Sequence, residues 1–366
     1  VAFDATSLYD VRTGIGRFVQ EVLARLGARD DLDLRAYAVT LRGAGRLSSL
    51  LPSGVHATGR RPMAARPLRE LWKRSDLARI ERWTGPVDVV HGPNYVVPPS
   101  RAARVVSVHD LTFLHHPEMC TADVLDYRAL VPRAIRGGAW VHTISDAVRS
   151  EVVELLGADP DRVVTVPLAP SPSPSADAEA GRRTAGAEHY VLALGTVEPR
   201  KDLPTLVAAF DALAAEHPDL RLVLAGPDGW GTDALGAALA AAAHADRVVR
   251  LGFVSDAQRG DLVAGAAAVA VPSVYEGFGL VAAEALLAGR PVVASSVGAH
   301  REVIGDAGLL VPPRDPGALA DALGRVLGDA ALAADLAARG PAQVAGLTWD
   351  RTAAGLVALW RRAADR

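Results

Sequence analysis

Cysteine is almost missing from this chain. Cys120 is the single one in 366 residues, so no disulfide can form within the chain and a bridged framework is excluded. A reducing compartment is the expectation. Lysine is nearly as scarce, at Lys73 and Lys201 only, and arginine supplies the remaining positive charge. The balance, 39 basic against 42 acidic residues, leaves a net charge of −3. A nucleic-acid binder would carry a basic excess instead. Half of the residues are apolar, which argues against disorder. Yet no uninterrupted apolar run is long enough to span a bilayer, and the sequence opens on strand-like residues without a signal-type stretch. The expectation is a soluble, cytoplasmic protein.

What is present is alternation. Short Val-, Ala- and Leu-rich runs alternate with longer helical stretches, the pattern of βα units around parallel sheets. At 366 residues the chain exceeds one comfortable core and suits two domains. In the first half strands are predicted at 1–3, 34–39, 87–91, 105–108, 140–144 and 163–166. A helix is predicted over 15–26, and another over 147–156 behind Ser145 as N-cap. The Pro-, Ser-, Ala- and Gly-rich stretch 170–186 reads as a linker. The alternation then restarts, with strands predicted at 190–195, 221–225, 248–251, 267–271, 292–294 and 309–311. Helices are predicted between them, at 203–215, 233–243, 256–265, 280–288 and 316–327. A last helix, 349–364, follows Thr348 as cap. Open α/β sheets bind ligands beyond the carboxyl ends of their strands, which directs attention to the loops there.

Four such loops carry chemistry. Thr13-Gly14-Ile15-Gly16-Arg17 follows the first strand; its glycines let backbone approach a ligand at a helix N-terminus, or simply make a tight turn. It lacks the full G-x-G-x-x-G spacing, which weighs against a dinucleotide fold. His109-Asp110 follows the 105–108 strand and either orients a polar group or is structural. His115-His116 nearby matches no zinc spacing, so no metal site is expected. Glu198-Pro199-Arg200-Lys201-Asp202 puts two adjacent cations after the first strand of the second half. They would neutralise a diphosphate, or form a solvated charge run. Positive charge at a helix start opposes the dipole unless an anion is present. Finally, Ser273 to Ala285 places Glu276 and Glu284 eight residues apart around the turn Gly277-Phe278-Gly279. That turn offers unpaired N–H groups to a phosphate, and the two carboxylates would grip hydroxyls on either side of it. Sugar nucleotides have that shape. Gly226-Pro227-Asp228-Gly229 and Gly252-Phe253-Val254-Ser255 are further loops that would meet a nucleobase or serve as ordinary connections.

One other segment is distinctive. Leu68, Leu71, Trp72, Ile80 and Trp83 approximate a helical stripe over 68–83. Arg69, Lys73, Arg74, Arg79 and Arg82 decorate the rest, with Arg60, Arg61 and Arg66 nearby. Such a basic helix would lie peripherally on an anionic membrane, accept an anionic substrate, or pack on its own domain.

With these residues in view, the chain resembles the retaining nucleotide-sugar glycosyltransferases of family four over nearly its whole length. Ser273 to Glu284 is similar to that family's glutamate–seven residues–glutamate motif. Pro291 to Ala294, Gly298, Glu302 and Gly308 to Val311 continue the likeness. Thr13 to Arg17, Val90 to Asn94, His109-Asp110 and Gly195 to Lys201 resemble its bacterial mannosyltransferase-like group. The resemblance implies the α/β GT-B architecture, two Rossmann-like domains facing each other across a cleft. An acceptor-side domain would span 1–169, a linker 170–187 and a donor-binding domain 188–348, with the helix 349–366 packing back on the first.

The resemblance also implies roles. Gly14 and Gly16 would set the first loop against the donor diphosphate, and His109 would touch the transferred sugar near C6. Arg200 and Lys201 would bind the departing diphosphate. Glu276 would hold sugar hydroxyls, with the N–H groups of Phe278, Gly279 and Leu280 on sugar and phosphate. Glu284 would bind the ribose, and Phe253 and Val254 would meet the base. Thr196 stands where many members have arginine, and Asp202 where they have glycine. The implied reaction is metal-independent transfer of a hexose with retention, using a nucleotide-sugar co-substrate and no tightly bound cofactor. GDP-mannose is the preferred donor, with a UDP- or dTDP-sugar as the alternative. The acceptor would be a saccharide or lipid-linked saccharide of the cell surface, with a soluble natural product as alternative. A same-fold sugar-nucleotide hydrolase or epimerase is the remaining reading. Oligomeric state is not legible.

Overall fold

The apolar runs become strands, and every pairing among the described residues is parallel, because helical crossovers return the chain to the same sheet end each time. The computed structural model describes residues 1–9, 14–41, 43–58, 62–173 and 175–365. Thr13 of the first glycine turn, and Arg60 and Arg61, lie outside the described residues. Strands β1 (Ala2–Asp4), β2 (Arg35–Tyr37), β3 (His56–Ala57), β4 (Val89–Gly92), β5 (Ala103–Val108), β6 (Trp140–Thr143) and β7 (Val163–Thr165) form one sheet. Its order is β3-β2-β1-β4-β5-β6-β7. A second sheet holds β8 (His189–Leu194), β9 (Leu220–Ala225), β10 (Val248–Gly252), β11 (Ala268–Val271), β12 (Val292–Ser295) and β13 (Leu309–Val311). Its order is β10-β9-β8-β11-β12-β13. Each sheet reverses its winding once, at β1/β4 and at β8/β11, and such a reversal opens a crevice at the carboxyl ends of the flanking strands.

The chain divides into two compact units. One comprises Val1–Leu168 together with the chain from Leu347 on, the other Ala169–Gly346. In the first, Phe3, Phe18 and Trp360 are fully buried; in the second, Leu206, Phe210 and Leu222 are. The C-terminal helix Trp349–Ala364 starts where its cap predicts, the Thr348 side chain accepting from Arg351 N at 3.2 Å. It packs on the Gly14–Leu26 helix and on β4 and β5. Ser145 caps the Asp146–Leu156 helix in the same way, accepting from Val148 N at 3.2 Å.

Besides several short turns and the helix Tyr127–Arg136, which the sequence reading leaves unassigned, four elements depart from it. β3 is two exposed residues with no apolar signal. The helix Ala330–Val344 follows Asp329 as cap and contains Pro341, which masks it in the sequence. Inside the supposed linker, Ala178–Ala185 is a helix, started by Asp177 accepting from Glu179 N at 2.8 Å. It packs on the Asp256–Gly265 helix so closely that a Cβ on Gly181 would collide with the Asp261 carbonyl oxygen. The surrounding Pro-Ser composition conceals a docked element.

The basic segment 68–83 is the fourth. It is two helices, Ala65–Trp72 and Glu81–Thr84, rather than one. Ser75 Oγ accepts Leu77 N at 3.0 Å, which bends the chain away from the helical path, and Ala78 takes φ 55°. The Trp72 indole is buried and donates to Ala78 O at 3.3 Å. Lys73 is held by Glu70 at 2.5 Å and Asp126 at 2.6 Å, and Arg133 takes Asp76 at 2.9 Å. The apolar stripe therefore feeds a core. Among the described residues, no continuous helix spans this segment.

Candidate active site

The second unit's reversal point gathers the charged residues. The loop after β8 turns through a short helical turn, Pro199–Lys201, and the loop after β11 descends from Ser273 to Gly279. A backbone bond joins the two loops, Val274 N to Arg200 O at 2.9 Å. Both cations then converge on one carboxylate oxygen. Lys201 Nζ donates to Glu276 Oε2 at 2.7 Å, and Arg200 Nη1 lies 3.0 Å from the same atom. Arg200 also donates to Tyr275 O at 3.0 Å and to Glu198 Oε1 at 2.6 Å. Ser273 Oγ donates to Glu276 Oε2 at 3.1 Å. Burial by itself would raise the Glu276 carboxyl, but the charges of Arg200 and Lys201, with His300 behind them, outweigh it and hold the group well below the ordinary carboxylate range. The dipole argument is thus answered inside the protein. The anion facing these cations is Glu276.

Asp202 ends this turn in the left-handed region, at φ 48° and ψ 44°. Glycine adopts that conformation without strain and Asp tolerates it. The physical demand for a glycine-like residue is therefore real at the position where the sequence departs from its resemblance.

Gly279 is the N-cap of the Leu280–Leu287 helix at φ 90°, and it brings no side chain to cap that helix start. A Cβ at Gly279 would lie 2.7 Å from His300 Cδ2. His300 is fully buried; its Nδ1–H donates to Ser295 O at 2.8 Å, and its Nε2 has no hydrogen-bond partner among the described residues. Burial lowers the imidazole's pKa, against the raising influence of Glu276. The Phe278 ring is buried, which leaves backbone as the functional surface of this turn.

One helical turn and more into that helix, Glu284 is buried and pairs with Arg259 of the Asp256–Gly265 helix. Phe253, at the end of β10, is 65 % exposed and Val254 half-buried. A cavity of about 390 Å³ opens at the carboxyl ends of β8, β9 and β10, lined by Gly195, Thr196, Lys201, Gly226, Asp228 and Arg250 among others.

In the first unit, Gly14 begins its helix with open space where a Cβ would be, and Gly16 is buried two residues further on. The same helix supplies Phe18, whose ring meets His109 edge-on at 5.6 Å. His109 is 6 % exposed, and its Nε2–H donates to Pro93 O at 2.6 Å. A carbonyl can only accept, so the neutral ring keeps its proton on Nε2 and its lone pair on Nδ1. Burial lowers the pKa of this imidazole, favouring that neutral form. Tyr95 sits beside it at φ 58°, its Oη accepting Asp110 N at 3.0 Å.

The structure therefore brings Arg200, Lys201 and Glu276 together, with Phe278, Gly279 and Leu280 at the adjoining helix start. Glu284 and Phe253 belong to neighbouring elements of the same unit, while Gly14, Gly16 and His109 belong to the other. Sequence reasoning misses Ser273, Arg259 and His300 as partners and gives Glu198 no task. Glu198 and Ser273 carry local signals, the one beside two cations and the other three residues before Glu276; Arg259 and His300 are joined by packing alone. Among the described residues, no group of three or more His, Cys, Asp or Glu side chains is arranged to hold a metal ion.

Residues 188–329 match the family model described as glycosyl transferases group 1. The O-antigen chain mannosyltransferase B of Escherichia coli is 30 % identical over 356 residues, 92 % of this chain and 93 % of that protein. A D-inositol 3-phosphate glycosyltransferase of Kineococcus radiotolerans is 37 % identical over 245 residues, 60 % of this chain, where the match spans 56 % of the relative's length. Among solved structures, Anabaena HepE in complex with UDP and glucose superposes with a TM-score of 0.72 at 20 % identity, covering 98 % of this chain and 97 % of that one. WaaG, a glycosyltransferase involved in lipopolysaccharide biosynthesis, gives 0.71 at 19 % identity, covering 100 % and 98 %.

Proposed function

We propose the following reaction for this chain, which belongs to the group 1 glycosyltransferases and is a nucleotide-sugar-dependent enzyme of the GT-B fold: retaining transfer of mannose from GDP-mannose to a hydroxyl of a saccharide or lipid-linked saccharide in cell-surface glycan synthesis. The observation that carries the chemistry is the convergence of Arg200 and Lys201 on Glu276 at the β8/β11 reversal. The choice of mannose, and of a surface glycan, is supported by the full-length likeness to the O-antigen mannosyltransferase.

The donor's diphosphate replaces Glu276 as the anion between the two cations. Lys201 and Arg200 then balance the charge that grows on the β-phosphate as the C1–oxygen bond breaks. Such charge stabilisation in a dry, pre-oriented site supplies most of the rate enhancement in many enzymes. Released from the cations, Glu276 accepts hydrogen bonds from the sugar hydroxyls, and the N–H groups of Phe278, Gly279 and Leu280 hold sugar and phosphate. His109 offers its Nδ1 to the sugar near C6. Gly14 and Gly16 allow backbone to approach the diphosphate. The acceptor oxygen bonds to C1 on the face the diphosphate leaves, and its proton passes to the departing phosphate. A carboxylate occupied by the sugar hydroxyls is a poor nucleophile, which favours this route over a glycosyl-enzyme intermediate. Glu284 holds the ribose, and Phe253 with Val254 the base.

Two measurements test the reading. Lys201→Ala should lower turnover at least tenfold at saturating donor; an unchanged rate removes Lys201 from leaving-group stabilisation. A thermal-shift series with GDP, UDP, dTDP and their sugar conjugates should select GDP and GDP-mannose, since ligands bound to the folded state raise its stability. Selection of UDP would discard mannose while keeping the glycosyltransferase.

A further inference from the structure

The role of Glu284 rests on the donor-site reading above, but the structure adds a partner for it that lies 25 residues away on another helix. Arg259 Nη2 donates to Glu284 Oε2. The two residues stand on separate helices of one unit, Asp256–Gly265 and Leu280–Leu287. Glu284 is buried, and a buried carboxylate without a cation beside it is heavily penalised.

Two further observations bear on this pair. Arg259 Nε is buried and has no hydrogen-bond partner among the described residues, so the guanidinium's hydrogen bond goes to the Glu284 carboxylate. Second, the helix that carries Arg259 starts rigidly. Ser255 and Gln258 form a capping box, Ser255 Oγ accepting Gln258 N at 3.2 Å and Gln258 Oε1 accepting Ser255 N at 3.0 Å. Arg259 is the next residue, and the exposed Phe253 lies just ahead of the box. One fixed turn thus sets both the aromatic face at the end of β10 and the cation on Glu284.

We propose that Arg259 is the positioning residue of the nucleoside subsite. It balances the charge of Glu284 and fixes the direction in which that carboxylate meets the ribose hydroxyls. The ligand it serves is a nucleoside diphosphate with its 2′ and 3′ hydroxyls intact. Arg259 acts through Glu284, so its removal weakens only ligands that Glu284 can grip.

Titration calorimetry with GDP, 2′,3′-dideoxy-GDP and inorganic pyrophosphate tests this on the parent, Arg259→Gln, Arg259→Lys, Glu284→Gln and the Arg259→Gln/Glu284→Gln double variant. UDP and its dideoxy form replace the guanosine pair if the parent selects uridine. The expected result is at least tenfold weaker binding of the ribonucleotide by Arg259→Gln, less than twofold change for the dideoxy form, and none for pyrophosphate. Arg259→Lys should recover most of the affinity, and the double variant should bind no more weakly than Glu284→Gln. In turnover assays the loss should fall on KM for the donor rather than on kcat. Equal weakening of the ribo- and dideoxynucleotide, or parent-like binding by Arg259→Gln, overturns the proposal while leaving the donor site in place. A parent that binds neither GDP nor UDP overturns the donor-site reading and this inference together.

Discussion

Asp202 shows how a departure from a pattern can be read physically. It sits at φ 48° beside Lys201, ending the cationic turn. A residue with a Cβ costs about 1–2 kcal/mol in this region, and Asp and Gly escape most of that. Asp202 Oδ2 is also buried without a hydrogen-bond partner among the described residues, and burial raises the carboxyl's pKa. Asp202→Ala should therefore be less stable than Asp202→Gly by about 1 kcal/mol. Urea unfolding of the two variants decides it; an alanine variant equal to the glycine one would mean the turn relaxes. At this scale the sequence is informative about residues with a motif around them. Arg200, Lys201 and Glu276 are legible as residues of loops that follow strands, whereas the pairing of the two cations with Glu276 is not. Arg259 and His300 are invisible because nothing local ties them to Glu284 and Gly279. Each reaches its partner from a different element, and only the packing of those elements brings them together.

At the scale of elements, legibility follows the contrast between neighbours. Apolar runs flanked by polar loops read as strands to within a residue or two, and capped helices such as Asp256–Gly265 have legible bounds. One failure comes from a composition that points the wrong way. Pro170 to Ser175 colours the reading of everything up to Gly186 and hides the helix Ala178–Ala185. Its docking can be tested at a position of close approach. Gly181→Ala drives a methyl into the Asp261 carbonyl oxygen, which is backbone and cannot swing away. Overpacking of this kind costs about 1–3 kcal/mol. The variant should melt at lower temperature and be cleaved faster within 170–186 under limited proteolysis. Parent-like resistance would show that the helix is not held by this contact.

At the scale of the whole molecule, the chain's end is tied to its first unit by a buried line of hydrogen bonds whose direction is fixed. Trp360 Nε1 can only donate, and it gives its proton to His91 Nδ1 at 3.1 Å. His91 Nε2–H then donates to Ser107 Oγ at 2.8 Å, and the Ser107 hydroxyl donates to His142 Nδ1 at 2.8 Å. His142 Nε2–H ends the line on Val166 O at 2.9 Å. The line crosses β4, β5 and β6 and leaves neither histidine an acceptor site for an extra proton that is not already used. Burial is the first cause that depresses both imidazoles, His142 to about 3 and His91 well below its ordinary value. The sign follows directly. Between about 3 and the unperturbed 6.5 the unfolded chain binds protons that the folded one refuses, so stability rises with pH across this window and falls on acidification. His142 alone withdraws roughly 2 kcal/mol by pH 5. Unfolding of the parent in urea from pH 7 to 5 should show this loss, and His142→Asn should flatten part of the slope while lowering stability at pH 7. A slope unchanged by His142→Asn would assign the acid sensitivity to the other buried imidazoles, His91, His109 and His300, which burial also lowers; the depressed Glu276 carboxyl loses its stabilisation only below this window.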